Sequence, residues 1–167
     1  MKVIILGCGR VGSQLATMFD KSGHSVVILD NQQAAFSKRP ETFKGKALLG
    51  SGMDVDLLKK AGIEEADAFI AVTQGDNRNI MFSEMAKFIY DVPKVITRVY
   101  DPIRCEMFGK LGLETICPTT SFTNVISDKL LNEADSSKET APSKPAAKKS
   151  KAAASATSAG TVKEVTE

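Results

Sequence analysis

The chain has 167 residues, 43% of them hydrophobic and 25% charged, which fits one globular domain with a substantial core. With 22 basic and 20 acidic residues the net charge is +2, too balanced to argue for a nucleic-acid partner, and no apolar stretch approaches the roughly 20 residues of a bilayer crossing. Cys8, Cys105 and Cys117 lack a Cys-x-x-Cys spacing and read as free thiols of a reducing cytosol; with His24 alone beside them they offer too few ligands for a metal, and Met1-Lys2 leads into a strand rather than a signal peptide.

The first thirty residues carry the strongest pattern. Val3-Ile4-Ile5-Leu6 reads as a strand, Gly7-Cys8-Gly9-Arg10-Val11-Gly12 as a glycine-rich turn, the residues through Lys21 as a helix, and Val26-Val27-Ile28-Leu29 as a second strand closed by Asp30. A dinucleotide site requires this order. Gly7 permits the tight turn, Gly9 lets a pyrophosphate approach bare backbone, Gly12 brings the helix against the sheet, and the helix N-terminus faces the anion. Asp30, 18 residues after Gly12, is placed to accept from ribose hydroxyls and to repel a 2′-phosphate, which favours NAD over NADP.

The alternation then continues. A short helix is expected from Asn31 to about Lys38, before Pro40, and a third strand at Lys46-Ala47-Leu48-Leu49. Asp54 reads as the cap of a helix through Lys60 that stops at Gly62, and 68–72 as a fourth strand. Thr73-Gln74-Gly75 is a loop, and Asp76 or Asn77 starts a helix through about Tyr90 whose buried face is expected at Ile80, Met81, Met85, Phe88 and Ile89. Pro93 ends it. A fifth strand is expected at 94–99, a helix from Pro102 to about Lys110, a sixth strand at 114–117, and a final helix at about 119–131. In that last helix Phe122, Val125, Ile126, Leu130 and Leu131 form either core or a dimer face.

Strands alternating with helices imply a doubly wound, Rossmann-like parallel sheet of six strands in the order 3-2-1-4-5-6. Ligands then bind beyond the carboxyl ends of the strands, which carry Gly7 to Gly12, Asp30, Ser51, Thr73, Gln74 and Arg98. Residues 1–131 are the expected nucleotide-binding domain. Residues 132–167, with no aromatic, Leu or Ile, read as a disordered Ala/Lys/Ser-rich tail that cannot offset its chain entropy by burial.

These residues resemble the N-terminal lobe of the Trk potassium-uptake regulators, also called KTN or RCK domains, over about 1–131. The likeness is carried by the glycine turn, Ile28-Leu29-Asp30, Gly50-Ser51-Gly52, Ala61-Gly62-Ile63-Glu64-Glu65-Ala66-Asp67-Ala68, Ala71-Val72-Thr73 with Asp76 and Asn79, Arg98-Val99 with Asp101-Pro102, and Leu111-Gly112. The resemblance implies NAD(H), or ATP and ADP, as ligand. It places the pyrophosphate on Gly7, Cys8, Gly9, Arg10 and Val11, the ribose on Asp30, the adenosine beside Ser51, the far side along Thr73 and Gln74, and a phosphate-binding cation at Arg98. It also implies a cytoplasmic regulatory subunit, peripheral at the inner face of the membrane, that dimerises or pairs with a related subunit and gates a potassium transporter or channel without turnover. Two departures are visible: the polar tail stands where family members continue into a second lobe, and Gly109 stands where an acidic residue is frequent.

The alternative is a small NAD-dependent oxidoreductase. Tyr90 and Lys94 have the Tyr-x-x-x-Lys spacing of a proton-donating pair, but Pro93 lies between them and prevents the single helical turn that the pairing needs.

Overall fold

The computed structural model describes residues 1–136. Its strands are β1 (Lys2–Leu6), β2 (Ser25–Asp30), β3 (Lys46–Leu49), β4 (Ala68–Ala71), β5 (Lys94–Arg98) and β6 (Glu114–Ile116). Helices α1 (Arg10–Lys21), α2 (Val55–Lys60), α3 (Asp76–Phe88), α4 (Pro102–Lys110) and α5 (Pro118–Ser136) alternate with them. All pairings are parallel and the order is β3-β2-β1-β4-β5-β6, the doubly wound arrangement that the sequence predicts.

Because successive side chains in a strand point to opposite faces, β1 divides its apolar run between two cores. Ile4 and Leu6 join Leu58 of α2 and Phe82 and Ala86 of α3 on one face. Val3 and Ile5 join Ala16 of α1 with Ala35 and Phe36 on the other. Leu6 is in register with Leu29 of β2 and Ala71 of β4, so three central strands end level. That puts the glycine turn, Asp30 and Thr73 along one edge of the sheet.

Caps fall where the residue types indicate. Asp54 accepts from the Leu57 N–H at 3.1 Å to begin α2, Asp101 accepts from the N–H groups of Ile103 and Arg104 to begin α4, and Gly62 stops α2 in a left-handed conformation (φ +81°).

Three expectations change. The helix expected from Asn31 is a 3-10 run, Gln33–Lys38, too short to sustain an α-helical nucleus before Pro40. In α3 the buried row is Asn79, Ile80, Phe82, Ser83 and Ala86, while Phe88 and Ile89 are 61% and 65% exposed. Two polar residues face the sheet there, and a search for the most hydrophobic face therefore picks a row rotated from the true one. The apolar residues of α5, Phe122, Val125, Ile126, Leu130 and Leu131, are all exposed, which rules out the core alternative.

The chain divides into the units Met1–Leu130 and Leu131–Glu167, and the sheet belongs to the first. Helix α5 continues past the expected Leu131 to Ser136; the rest of the expected disordered tail, 137–167, lies outside the described residues. Among the described residues no helix is long and apolar enough to cross a membrane.

Candidate functional site: a cleft at the carboxyl ends of the strands

A cleft of about 680 Å³ opens where β1, β2 and β4 end, and Gly7, Gly9, Arg10, Val11, Asp30, Ser51, Thr73, Gln74 and Arg98 all line it. Nine of the eleven residues named from the sequence thus meet at one place. Cys8 and Gly12 do not line it. The Cys8 side chain is fully buried in the core under α1, and Gly12 is buried at the contact between helix and turn.

The rim at β1 and β2 is made of main chain. Gly7 has φ +107°, and its N–H donates to the Leu29 carbonyl at 2.7 Å, which ties the turn to β2. A Cβ on Gly12 would lie 1.8 Å from the Gly7 carbonyl oxygen, so only glycine lets α1 approach this closely, whereas a Cβ on Gly9 would meet nothing within 4 Å. Gly9 is the N-cap of α1. No side chain caps this helix and no acidic residue lies in its first turn. Its leading N–H groups and positive dipole end are therefore left for an anion in the cleft.

Asp30 holds this rim in shape. Its Oδ2 accepts from the Cys8 N–H at 2.7 Å and its Oδ1 from the Gln32 N–H at 2.9 Å. Each carboxylate oxygen keeps a second lone pair with which to accept from a ligand hydroxyl. Inside the same turn the Cys8 thiol is pushed above its ordinary pKa, first by burial and then by the Asp30 carboxylate.

The opposite rim, at β4 and β5, is built from side chains. Asn79, completely buried on α3, accepts from the Thr73 N–H at 2.9 Å and the Thr73 hydroxyl at 2.6 Å, and donates to the carbonyls of Thr73 (3.0 Å) and Arg98 (2.9 Å). Every hydrogen-bonding capacity of that amide is used against the ends of two adjacent strands. The Arg98 guanidinium donates to the Thr73 carbonyl and lies 4.7 Å from the centroid of the Tyr100 ring. An ion pair of Arg98 with Asp101 does not form; Asp101 caps α4 instead.

Asn31, Gln32, Lys38, Arg78 and Tyr100 also line the cleft and escaped sequence reasoning. The first two directly follow the carboxylate that closes β2, and that adjacency is the one signal that could have found them. Tyr90 and Lys94 do not share a helix: α3 ends at Phe88 and Lys94 opens β5, at the end of the sheet away from the cleft.

Residues 3–119 match the TrkA-N domain family. The chain is 43% identical over 116 residues to the Trk system potassium uptake protein TrkA of Streptomyces coelicolor, an alignment covering 70% of this chain and 52% of that protein. It spans about half the length of the curated relatives it matches. Among solved structures, the Kef CTD of Shewanella denitrificans in its AMP-bound form superposes with a TM-score of 0.65 at 22% identity, over 79% of this chain and 80% of that one. The GsuK channel bound to NAD superposes with a TM-score of 0.66 at 19% identity, over 80% of this chain and 24% of that one. These two likenesses concern the fold, whereas the sequence match covers the glycine turn, Asp30 and Asn79 together, and the chain belongs to the TrkA-N domain family.

Proposed function

We propose that this chain is the nucleotide-sensing domain of a potassium transporter or channel regulator, which binds NAD(H) or ATP/ADP in the cleft and changes the state of a membrane partner without turning the nucleotide over. The observation that carries the reading is the uncapped N-terminus of α1, opening onto a cleft of about 680 Å³ with a carboxylate at the end of β2. A helix end without a side-chain cap is an anion site, and the cleft has the size of small-ligand pockets.

In this reading the amides of Gly9, Arg10 and Val11 receive the diphosphate, with Gly7, Cys8 and Gly12 shaping the turn. Asp30 accepts from the ribose through its free lone pairs and disfavours a 2′-phosphate, so NAD is preferred over NADP. Ser51 borders the adenosine, Thr73 and Gln74 the far side, and Arg98 supplies a cation to the phosphates. The AMP and NAD named for the two structural neighbours support an adenine nucleotide as ligand class. Tyr90 and Lys94, the proton-donating pair weighed from the sequence, do not share a helix, which weakens the oxidoreductase reading. Assembly, as a dimer or with a related regulatory subunit, uses the exposed apolar residues of α4, β6 and α5, among them Ile103, Ile116 and Phe122. The membrane partner then holds the domain at the inner face of the membrane.

Thermal denaturation with NAD+, NADH, ATP and ADP tests the reading. A ligand at 100 times its dissociation constant adds about 2.7 kcal/mol, or about 8 °C in Tm for a domain of this size. No shift with any of the four would falsify nucleotide sensing. Steady oxidation of NADH with a carbonyl substrate would replace it by the oxidoreductase. Asp30→Ala weakens NADH more than it weakens inorganic phosphate; equal losses remove the ribose role.

A further inference from the structure

Tyr100 belongs to the cleft by its ring and to the base of α5 by its main chain. The ring lines the cleft and carries the Arg98 guanidinium 4.7 Å from its centroid. The Tyr100 carbonyl accepts from the Thr119 hydroxyl at 2.8 Å and from the Cys117 thiol at 3.4 Å, in the first turn of α5 and the residue before it. Its N–H donates to Asp76 Oδ1 at 3.0 Å, so the residue is hinged on the start of α3.

Arg98 is in an arrangement that an anion would disturb. Its guanidinium donates to the neutral carbonyl of Thr73, and its Nε is buried without a partner. A phosphate oxygen accepts more strongly than a peptide carbonyl, because the hydrogen bond is then charge-assisted on both sides. Capture of the guanidinium removes the cation from the Tyr100 ring. The ring must then repack, and the main chain that carries it is the acceptor for both side chains at the base of α5.

We propose that Tyr100 is the positioning residue through which occupancy of the cleft reaches α5: a nucleotide phosphate draws Arg98 off the Thr73 carbonyl, the Tyr100 ring follows, and the first turn of α5 loosens as its acceptor moves. This rests on the nucleotide reading given above. It extends that reading by naming the route from the ligand to the helix whose apolar residues Phe122, Val125 and Ile126 stand exposed.

Cys117 serves as the reporter. Its thiol is buried at the base of α5 and donates to the Tyr100 carbonyl, so it reacts once that base opens. The full chain is treated with iodoacetamide with and without saturating NADH or ADP, and the rate at Cys117 is resolved from Cys8 and Cys105 by peptide mass spectrometry. Calorimetry on the same samples measures binding.

The wild-type rate at Cys117 is expected to rise about fivefold on binding, the lower end of typical couplings between sites. Thr119→Val removes one tie to the Tyr100 carbonyl without touching the cleft, so affinity is retained within about twofold while the ligand-dependent increase is lost. Tyr100→Phe keeps the ring and retains the increase; Tyr100→Ala loses it. Binding without a faster Cys117 reaction in the wild type overturns the relay and leaves nucleotide sensing standing, as does an undiminished increase in both Thr119→Val and Tyr100→Ala. No heat of binding with either nucleotide overturns both.

Discussion

The two rims of the cleft are made of different material. At β1 and β2 the surface offered to a ligand is main chain: a glycine turn, an uncapped helix end and one carboxylate that holds the turn in place. At β4 and β5 it is side chain: Thr73 and Arg98, both fixed by the single buried amide of Asn79. Rigidity has a different source in each rim. The first rim is set by residues that lack atoms and lets an anion approach without rearrangement. The second is set by hydrogen bonds that a stronger acceptor can exchange, and it is the rim suited to respond.

The largest effect is expected from atoms placed where the first rim excludes them. Gly12→Ala places a Cβ 1.8 Å from the Gly7 carbonyl oxygen, and both are backbone positions that cannot swing aside. Helix propensity returns up to about 1 kcal/mol, which does not offset an overpacked backbone contact, so a net loss of about 3 kcal/mol in urea denaturation is expected. Gly9→Ala meets nothing within 4 Å and has an ordinary φ of −72°, so stability changes by no more than about 0.5 kcal/mol while nucleotide affinity falls. Equal stability losses in the two variants would show that α1 can withdraw from the turn and that this rim is not fixed by glycine.

The second rim is broken at Asn79. Asn79→Ala leaves the Thr73 N–H and the carbonyls of Thr73 and Arg98 without their partner in a buried setting, and a loss of about 2 kcal/mol is expected. Amide exchange sharpens the test. The Thr73 N–H, hydrogen-bonded to Asn79, should lose protection in the variant, whereas the Gly7 N–H, bonded to the Leu29 carbonyl, should keep it. Loss of protection at both amides would make the rims one cooperative unit.

The same contrast decides what the sequence reveals. Strand order, helix order and the first rim were legible because they rest on local rules: apolar runs bounded by glycine, the cap at Asp54, the proline that opens α4, and the spacing from Gly12 to Asp30. The second rim was legible only by position, through Thr73, Gln74 and Arg98 at strand ends. Its organising residue was misread by periodicity, because the two buried polar residues of that row, Asn79 and Ser83, count as evidence for another face. Asn79 entered the family likeness without a role, and the role comes from hydrogen bonds to Thr73 and to the end of β5, 19 residues away. Asp30 shows a second limit. Spacing places it for a ribose, while its bonds to the amides of Cys8 and Gln32 are invisible until the chain is folded.

A smaller effect separates the rims by pH. The Cys8 thiol has its usual pKa near 9.0 raised in the folded protein, first by burial and then by Asp30, with Arg39 and Lys38 opposing. The unfolded chain therefore loses this proton at a lower pH than the folded one. Between the two values the folded state binds more protons, and stability declines as pH rises through that window. Below pH 9 this contribution is fully present. The Cys117 thiol is shifted the other way, so the clean observable is the urea midpoint of the wild type minus that of Cys8→Ala, which should fall as the pH passes about 9. Parallel profiles for the two proteins would remove Cys8 from the titration. Asp30→Asn then divides the causes: with burial the larger one, the decline shrinks and persists, whereas its complete disappearance would make the carboxylate, and not the packing beneath α1, the group that keeps this thiol protonated.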